Sequence, residues 1–144
     1  MKRFLFPLEG ALRWRQRRLE QEEFRLHSLA AERDALRERI RQIGEARQGA
    51  ERELLGQASI PAEDLAALEA YRRRLARERA RLEQTEADCE GRLAAQRERV
   101  LRARRDVRVI EKLRERRLAE WQAEADRELE GLAAEVFLAR WGRR

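Results

Sequence analysis

The sequence has very little of what a catalytic site needs. Its 144 residues include one histidine and one cysteine, so no second such residue lies at metal-ligand spacing. A Gly-rich phosphate loop is also missing. We therefore predict no enzyme activity, no metal and no cofactor. His27 is expected to be an exposed surface residue, and Cys89 a small buried side chain within an apolar row.

Proline and aromatic residues are scarce as well. The two prolines, Pro7 and Pro61, stand where helices could begin, and aromatic residues make up only 6% of the chain. Charged residues reach 43%, against about 25% in a typical soluble domain. Such a chain cannot fill a thick globular core, but it can fill a narrow seam between two helices. An elongated, all-α fold is predicted.

Long apolar runs are missing too. No stretch approaches the ~20 apolar residues of a membrane span. The first residues are basic and then apolar, but the apolar run ends at Glu9, too early for a secretory signal. One cysteine allows no intrachain disulfide, as is usual in a reducing compartment. We expect a cytoplasmic protein without membrane insertion.

Two heptad rows start at Leu12 and predict the seam of a coiled coil. The first row is Leu12, Leu19, Leu26, Arg33, Ile40, Arg47 and Leu54, and the second is Arg15, Glu22, Leu29, Leu36, Ile43 and Ala50. Arginine stems can cover apolar surface while their heads reach water. Glu22 has a shorter stem and is the least favourable residue of the seam.

The pattern breaks near residues 56–61. Gly56 can end a helix in a left-handed conformation, and Pro61 suits the first turn of the next helix. Glu63 and Asp64 then place negative charge at the N-terminal end of that helix. We predict a first helix at about 8–56, a turn at about 57–61, and a second helix at about 62–141.

The second helix carries its own heptad rows. They are Leu68, Leu75, Leu82, Cys89, Gln96, Ala103 and Ile110, with Leu65, Arg72, Arg79, Glu86, Leu93, Val100 and Val107. After Ile110 the phase slips, which resembles a stutter. A short break folds long helices back antiparallel, so residues 1–144 are predicted to form a single hairpin with Leu12 opposite about Asp106.

Because the second helix is longer, we expect an unpaired overhang from about residue 111. It would carry apolar residues that favour contact with a partner, namely Trp121, Leu129, Leu132, Val136, Phe137 and Trp141. Phe4 and Phe6 either cap the open end by packing on the second helix or anchor a partner. The residues alone leave both readings open.

Basic residues are concentrated between Arg102 and Arg117. Eight basic residues stand there against three acidic ones, a net charge of +5, close to the +6 of the whole chain. A basic helix of this kind could bind nucleic acid or an acidic protein surface. The folded-back partner helix and the absence of Asn or Ser among the arginines favour the protein surface, so no nucleic acid is expected.

Three segments resemble the flagellar export protein FliJ family. They are the opening Phe4-Leu5-Phe6-Pro7-Leu8-Glu9, the central break before Leu65, and the block Glu111-Lys112-Leu113-Arg114-Glu115-Arg116-Arg117. The similarity covers nearly the whole chain and includes its two-helix layout.

The resemblance implies a soluble part of the flagellar type III export apparatus, at the cytoplasmic side of the inner membrane. Such a protein is an antiparallel coiled coil in the centre of the hexameric export ATPase. It contacts the membrane export-gate protein and escorts export chaperones. The hairpin fold itself suggests a monomer when free. An equivalent stalk of a virulence-type (YscO-like) system, a nucleic-acid-binding helix and a homodimeric spacer are the alternatives.

The resemblance also suggests contact residues. Tyr71 and Leu75 match an aromatic and a leucine on the gate-binding flank of the family. For the ring-binding end, the expected residues are Phe4, Phe6, Arg114, Arg116, Arg117 and Trp121.

Overall fold

A computed structural model describes residues 2–143 and contains two α-helices. Helix α1 runs over Glu9–Leu55 and helix α2 over Ala62–Trp141. The described residues contain no strand, and α2 is the longer helix, so the predicted fold class is confirmed. Among these residues, neither helix has an apolar stretch sufficient to cross a bilayer.

The connection between the helices depends on Gly56. Its N–H donates to the carbonyl of Arg52 at 3.1 Å, and the N–H of Gln57 donates to that of Leu54 at 3.2 Å. No glycine in residues 2–143 has a positive φ, so the expected left-handed conformation of Gly56 is wrong. A Cβ at Gly56 would instead lie 3.0 Å from the Arg52 oxygen. Close backbone approach therefore favours glycine there.

By its internal contacts the chain divides into two compact units. The turn unit is Glu22–Val100, and the terminal unit is Met1–Gln21 with Leu101–Arg144. Both helices contribute to each unit. That the two units form a single domain stays a prediction.

The two helices run antiparallel within each unit. In the turn unit, Gln96 bonds to Glu22 near one end, and Arg72 bonds to Glu51 at 2.9 Å near the other. In the terminal unit, Arg15 pairs with Asp106 at 3.1 Å. Arg15 lies about one turn from Leu12, close to the expected register.

The buried positions follow the predicted rows. Nine apolar residues form the core: Leu12, Leu68, Leu75, Cys89, Leu93, Val100, Ala103, Val107 and Ala125. Arg47, Leu65 and Arg79 are the exposed exceptions within the rows. Cys89 is fully buried, and its Sγ donates to the Leu29 carbonyl at 3.5 Å. His27 is exposed, as expected.

A polar pair interrupts the apolar seam of the turn unit. Glu22 and Gln96 are 7% and 4% exposed. The Gln96 Nε2 donates to the Glu22 carbonyl at 3.0 Å and to its carboxylate at 2.5 Å. Arg25, one turn along α1, adds an ion pair to that carboxylate at 3.2 Å. The short stem of Glu22 is therefore tolerated because partners reach it from both helices.

Residues after 111 are not all unpaired, so the predicted start of the overhang is wrong. Arg114 forms an ion pair with Glu9 at 3.1 Å, and Trp121 contacts the N-terminal residues. Ala125 is only 7% exposed, whereas Leu129 is 57% exposed. Cover within the described chain therefore extends about two heptads farther along α2 than the length of α1 suggested.

We predict that Gln96→Ala lowers the free energy of unfolding by about 1–3 kcal/mol, because the buried Glu22 carboxylate loses a donor from α2. Urea titration followed by circular dichroism measures this. Gln84→Ala is the matched control, since Gln84 is exposed and bonds to Asp88 on its own helix. Equal losses for the two variants would contradict a stabilising role of the buried pair.

Candidate partner-binding surfaces

The N-terminal segment, residues 2–8, packs on α2 in the terminal unit. The Phe4 and Trp121 ring centroids lie 5.9 Å apart with the planes inclined by 55°. The Trp121 Nε1–H also donates to the carbonyl of Lys2 at 3.0 Å. Trp121 therefore gives this segment both an apolar and a polar contact, as tryptophan often does at interfaces.

Arg114 links the same segment to the start of α1. Its guanidinium forms the ion pair with Glu9 and lies 5.9 Å from the centre of the Phe4 ring. Both charged side chains are about two-fifths exposed, so water screens the pair and its own contribution is small. Arg114 thus contacts both the start of α1 and the ring that packs on Trp121.

An open hollow of about 610 Å³ lies between the N-terminal segment and α2. Phe6, Leu113 and Arg117 line it together with Phe4 and Trp121. The chain thus brings five of the six predicted ring-binding residues together, namely Phe4, Phe6, Arg114, Arg117 and Trp121. The capping reading of Phe4 is confirmed, and the hollow leaves this end accessible to a partner.

The exposed side chains at this end include apolar and basic residues. Leu5 is 79% exposed and Leu8 is 41% exposed. Arg116 is also exposed and does not line the hollow. Arg117 pairs with Glu120 at 3.5 Å with both side chains 64% exposed, so its guanidinium remains largely available to a partner.

Sequence reasoning missed the cover of α2 at Trp121, although a signal was present. The row that holds Leu93, Val100 and Val107 continues in steps of seven to Arg114 and Trp121. Both of these residues are half-buried. Stopping the row at Val107 placed them in the overhang. The contact of Trp121 with the Lys2 carbonyl had no sequence signal, because backbone groups carry none.

The predicted gate-binding pair lies in the turn unit. Tyr71 is half-buried and lines a shallow hollow with Leu54 and Leu68. Leu75 is only 7% exposed and belongs to the seam. A contribution of Leu75 to binding would therefore come from holding α2 against α1, while the exposed part of Tyr71 is accessible. The gate contact itself stays a prediction.

Charged groups surround Tyr71. The neighbouring Arg72 donates to Glu51 of α1 at 2.9 Å and to Glu69 at 2.7 Å. A hydrogen bond from Arg47 lowers the pKa of the Glu51 carboxyl, and the charge of Arg72 lowers it further. Glu51 therefore stays ionised at neutral pH and links the two helices beside Tyr71.

A third surface lies on α2 beyond Ala125. The residues from Leu129 onward are exposed, including Leu132 at 58% and Val136 at 53%. Phe137 and Trp141 pack on each other, with ring centroids 6.0 Å apart, yet both stay more than 60% exposed.

Within residues 2–143 no cluster of acidic, histidine or cysteine side chains is arranged to hold a metal ion.

The family model described as "Flagellar FliJ protein" matches residues 4–130 of this chain. No curated protein and no solved structure matches this chain. The matched range includes the N-terminal segment from Phe4 onward, both helices of the turn unit, and α2 as far as Glu130.

We predict that Trp121→Ala releases the N-terminal segment. The variant loses the ring contact with Phe4 and the hydrogen bond to Lys2, together worth about 1–2 kcal/mol. Exchange of the Glu9 amide hydrogen, which is donated to the Phe6 carbonyl at 3.2 Å, should become roughly tenfold faster.

Trp141→Ala is the matched control, because Trp141 lies on the same helix and is 70% exposed. It should leave the exchange of the Glu9 amide unchanged. Similar exchange rates for the two variants, with helix content preserved in both, would show that Trp121 does not hold the segment.

Proposed function

This chain belongs to the family of flagellar FliJ proteins, and from that premise we propose that it acts as the central stalk of the flagellar export ATPase ring. It is a flagellar export-associated protein. The finer role, a stalk that couples the ring to the export gate, is supported by the arrangement of the terminal unit. The matched family is flagellar, so the proposal follows it rather than the virulence-type alternative.

The single observation that carries the stalk role is the basic, partly apolar end of the terminal unit. Arg116 and Arg117 are exposed there, beside the hollow formed by the N-terminal segment. The surrounding stretch of α2 has the net charge of +5. An acidic lining of the ring would attract this end and orient it, raising the association rate more than the final affinity.

We propose that the turn unit contacts the membrane export-gate protein through Tyr71. A half-buried tyrosine with an accessible edge is a common anchor in protein interfaces. The ion pairs of Arg72 with Glu51 and Glu69 keep this part of α2 against α1. The anchor is therefore presented from a fixed backbone, which lowers the entropy lost on binding.

The remaining parts of the proposal follow the family. The protein works without catalysis of its own, without a cofactor and in the cytoplasm, associated peripherally with the inner membrane at the flagellar base. It also handles export chaperones. The hydrolysis of ATP belongs to the ring.

We predict that the double variant Arg116→Glu, Arg117→Glu weakens binding to the purified ATPase ring by roughly tenfold at low salt, with most of the change in the association rate. Surface plasmon resonance at two salt concentrations measures both effects. Added salt should reduce the difference in affinity between the variant and the unsubstituted chain, since salt screens exposed charges.

The matched control for this variant is Arg77→Glu, Arg81→Glu. These two arginines are also exposed on α2, in the turn unit, and their reversal changes the net charge by the same amount. If the control weakened ring binding as much, net charge alone would explain the result, and Arg116 and Arg117 would lose their assigned role.

We predict that Tyr71→Ala weakens binding to the cytoplasmic part of the gate protein by roughly tenfold, as expected for loss of an aromatic anchor. Ring binding should not change. Titration calorimetry measures both affinities, and thermal unfolding checks that the seam is intact.

Leu65→Ala is the control for this variant, because Leu65 lies on the same helix and is 43% exposed. It should bind the gate protein normally. A Tyr71→Ala variant with unchanged gate affinity would remove the gate contact from this surface without affecting the stalk role.

A further inference from the structure

The apolar seam of α2 continues beyond the residues that cover it. Leu118, Trp121, Ala125, Leu129, Leu132 and Val136 follow each other in steps of three or four residues, the spacing of one helix face. Ala125 is 7% exposed, but Leu129, Leu132 and Val136 are 57%, 58% and 53% exposed. We refer to these last three residues as the C-terminal seam.

The C-terminal seam has the form of a helix-binding surface. It extends the same interface that α2 makes with α1 and the N-terminal segment, and its steps of three and four match those of a packed helix pair. A partner that covers it would therefore place an apolar stripe of its own alongside α2. An amphipathic helix satisfies this requirement while keeping its backbone hydrogen bonds internal.

One edge of this seam is acidic. Residues 118–138 contain six acidic residues and one basic residue, a net charge of −5. Glu128 and Glu135 are seven residues apart, and each directly precedes a seam residue, so both lie along the same edge. Glu124 and Glu128 also line a hollow next to Ala125. Among the described residues, none of these three glutamates forms an ion pair.

In the turn unit, several acidic residues pair across the two helices. Glu51, Glu86 and Glu90 each bond to arginines of the opposite helix. The carboxylates beside the C-terminal seam form no such pair within residues 2–143, so they can bond to basic groups of a partner helix that covers the apolar stripe. Partners with anionic surfaces, such as nucleic acid or acidic lipid, would be repelled by it.

We propose that the C-terminal seam docks an amphipathic α-helix of a partner protein, in which lysines or arginines border the apolar stripe. This interaction is additional to the ring and gate contacts and does not depend on them. Leu132 and Val136 lie beyond the range 4–130 that the family model matches.

A second copy of this chain fits the surface less well. In an antiparallel pair centred near Val136, the two Glu135 side chains would lie on the same side of the interface and repel each other. The exposed apolar stripe from Leu129 to Val136 is also only about one heptad long, which is short for a stable dimer. A basic-edged helix meets both the apolar and the charged part of the surface.

Two designed peptides of three heptads test the proposal with the full chain. Both carry leucine at the a and d positions; one has lysine at e and g, and the other has glutamate. We expect the lysine peptide to bind at least tenfold more tightly by fluorescence anisotropy. The net charge of the chain, +6, predicts the opposite order, so this preference would identify the acidic edge.

Substitutions then locate the binding surface. Leu132→Glu should weaken binding of the lysine peptide at least tenfold. Leu138→Glu is the matched control: Leu138 is 68% exposed, but it lies two residues from Val136 and so about 200° around the helix. The Leu138→Glu variant should bind the lysine peptide normally. Glu128→Gln with Glu135→Gln should remove the preference between the two peptides.

Three results would overturn the proposal. The first is equal or stronger binding of the glutamate peptide. The second is binding that Leu132→Glu does not affect. The third is self-association in sedimentation velocity that Leu132→Glu abolishes, which would make the second copy the occupant of the seam.

Discussion

Burial of one narrow apolar stripe on each helix is the interaction on which everything else in this protein depends. Nine apolar side chains form the core of the described chain, and many other positions must interact with water. Exposed ion pairs such as Arg79 with Glu83 add little to stability. Because they place opposite charges side by side, however, the surface can be densely charged without strongly attracting other charged molecules. Burial of these stripes therefore holds the helices together within each unit and leaves their outer faces exposed to water.

Much of this fold could be predicted because the heptad repeat in the sequence indicates which residues are buried. Glu22, an apparent defect in the pattern, lies where it was placed, and Gln96 from the opposite row explains why it is tolerated. The N-terminal segment could not be predicted in the same way, since an extended chain has no period that identifies its partner. The cover of Trp121, by contrast, could have been predicted by continuing the row of Val107 for two more heptads. Tyr71 stood out as an aromatic residue beside Leu68 and Leu75, but the gate as its partner came from the resemblance, because a single aromatic on a helix flank does not identify a partner.

Basic and acidic residues occupy separate stretches of α2, so the two stretches suit partners of different charge. The stretch Arg102–Arg117 is basic, and residues 118–138 are acidic. Close to the boundary of the two stretches, Trp121 contacts Phe4 of the N-terminal segment. An acidic and a basic partner would thereby be attracted to different lengths of the same helix, and axial position would add to the specificity that side-chain shape provides.

The buried pair of Glu22 and Gln96 also has a mechanical consequence. If one helix of the turn unit slid by a heptad under load, Glu22 could meet Cys89, which offers no comparable donor, and its carboxylate would be left in an apolar layer at a cost of several kcal/mol. An apolar seam alone would resist such sliding weakly, because each leucine would find another at the next repeat. The buried polar pair therefore opposes sliding of one helix along the other. A force applied along the axis at one end of the turn unit is then transmitted to the other end.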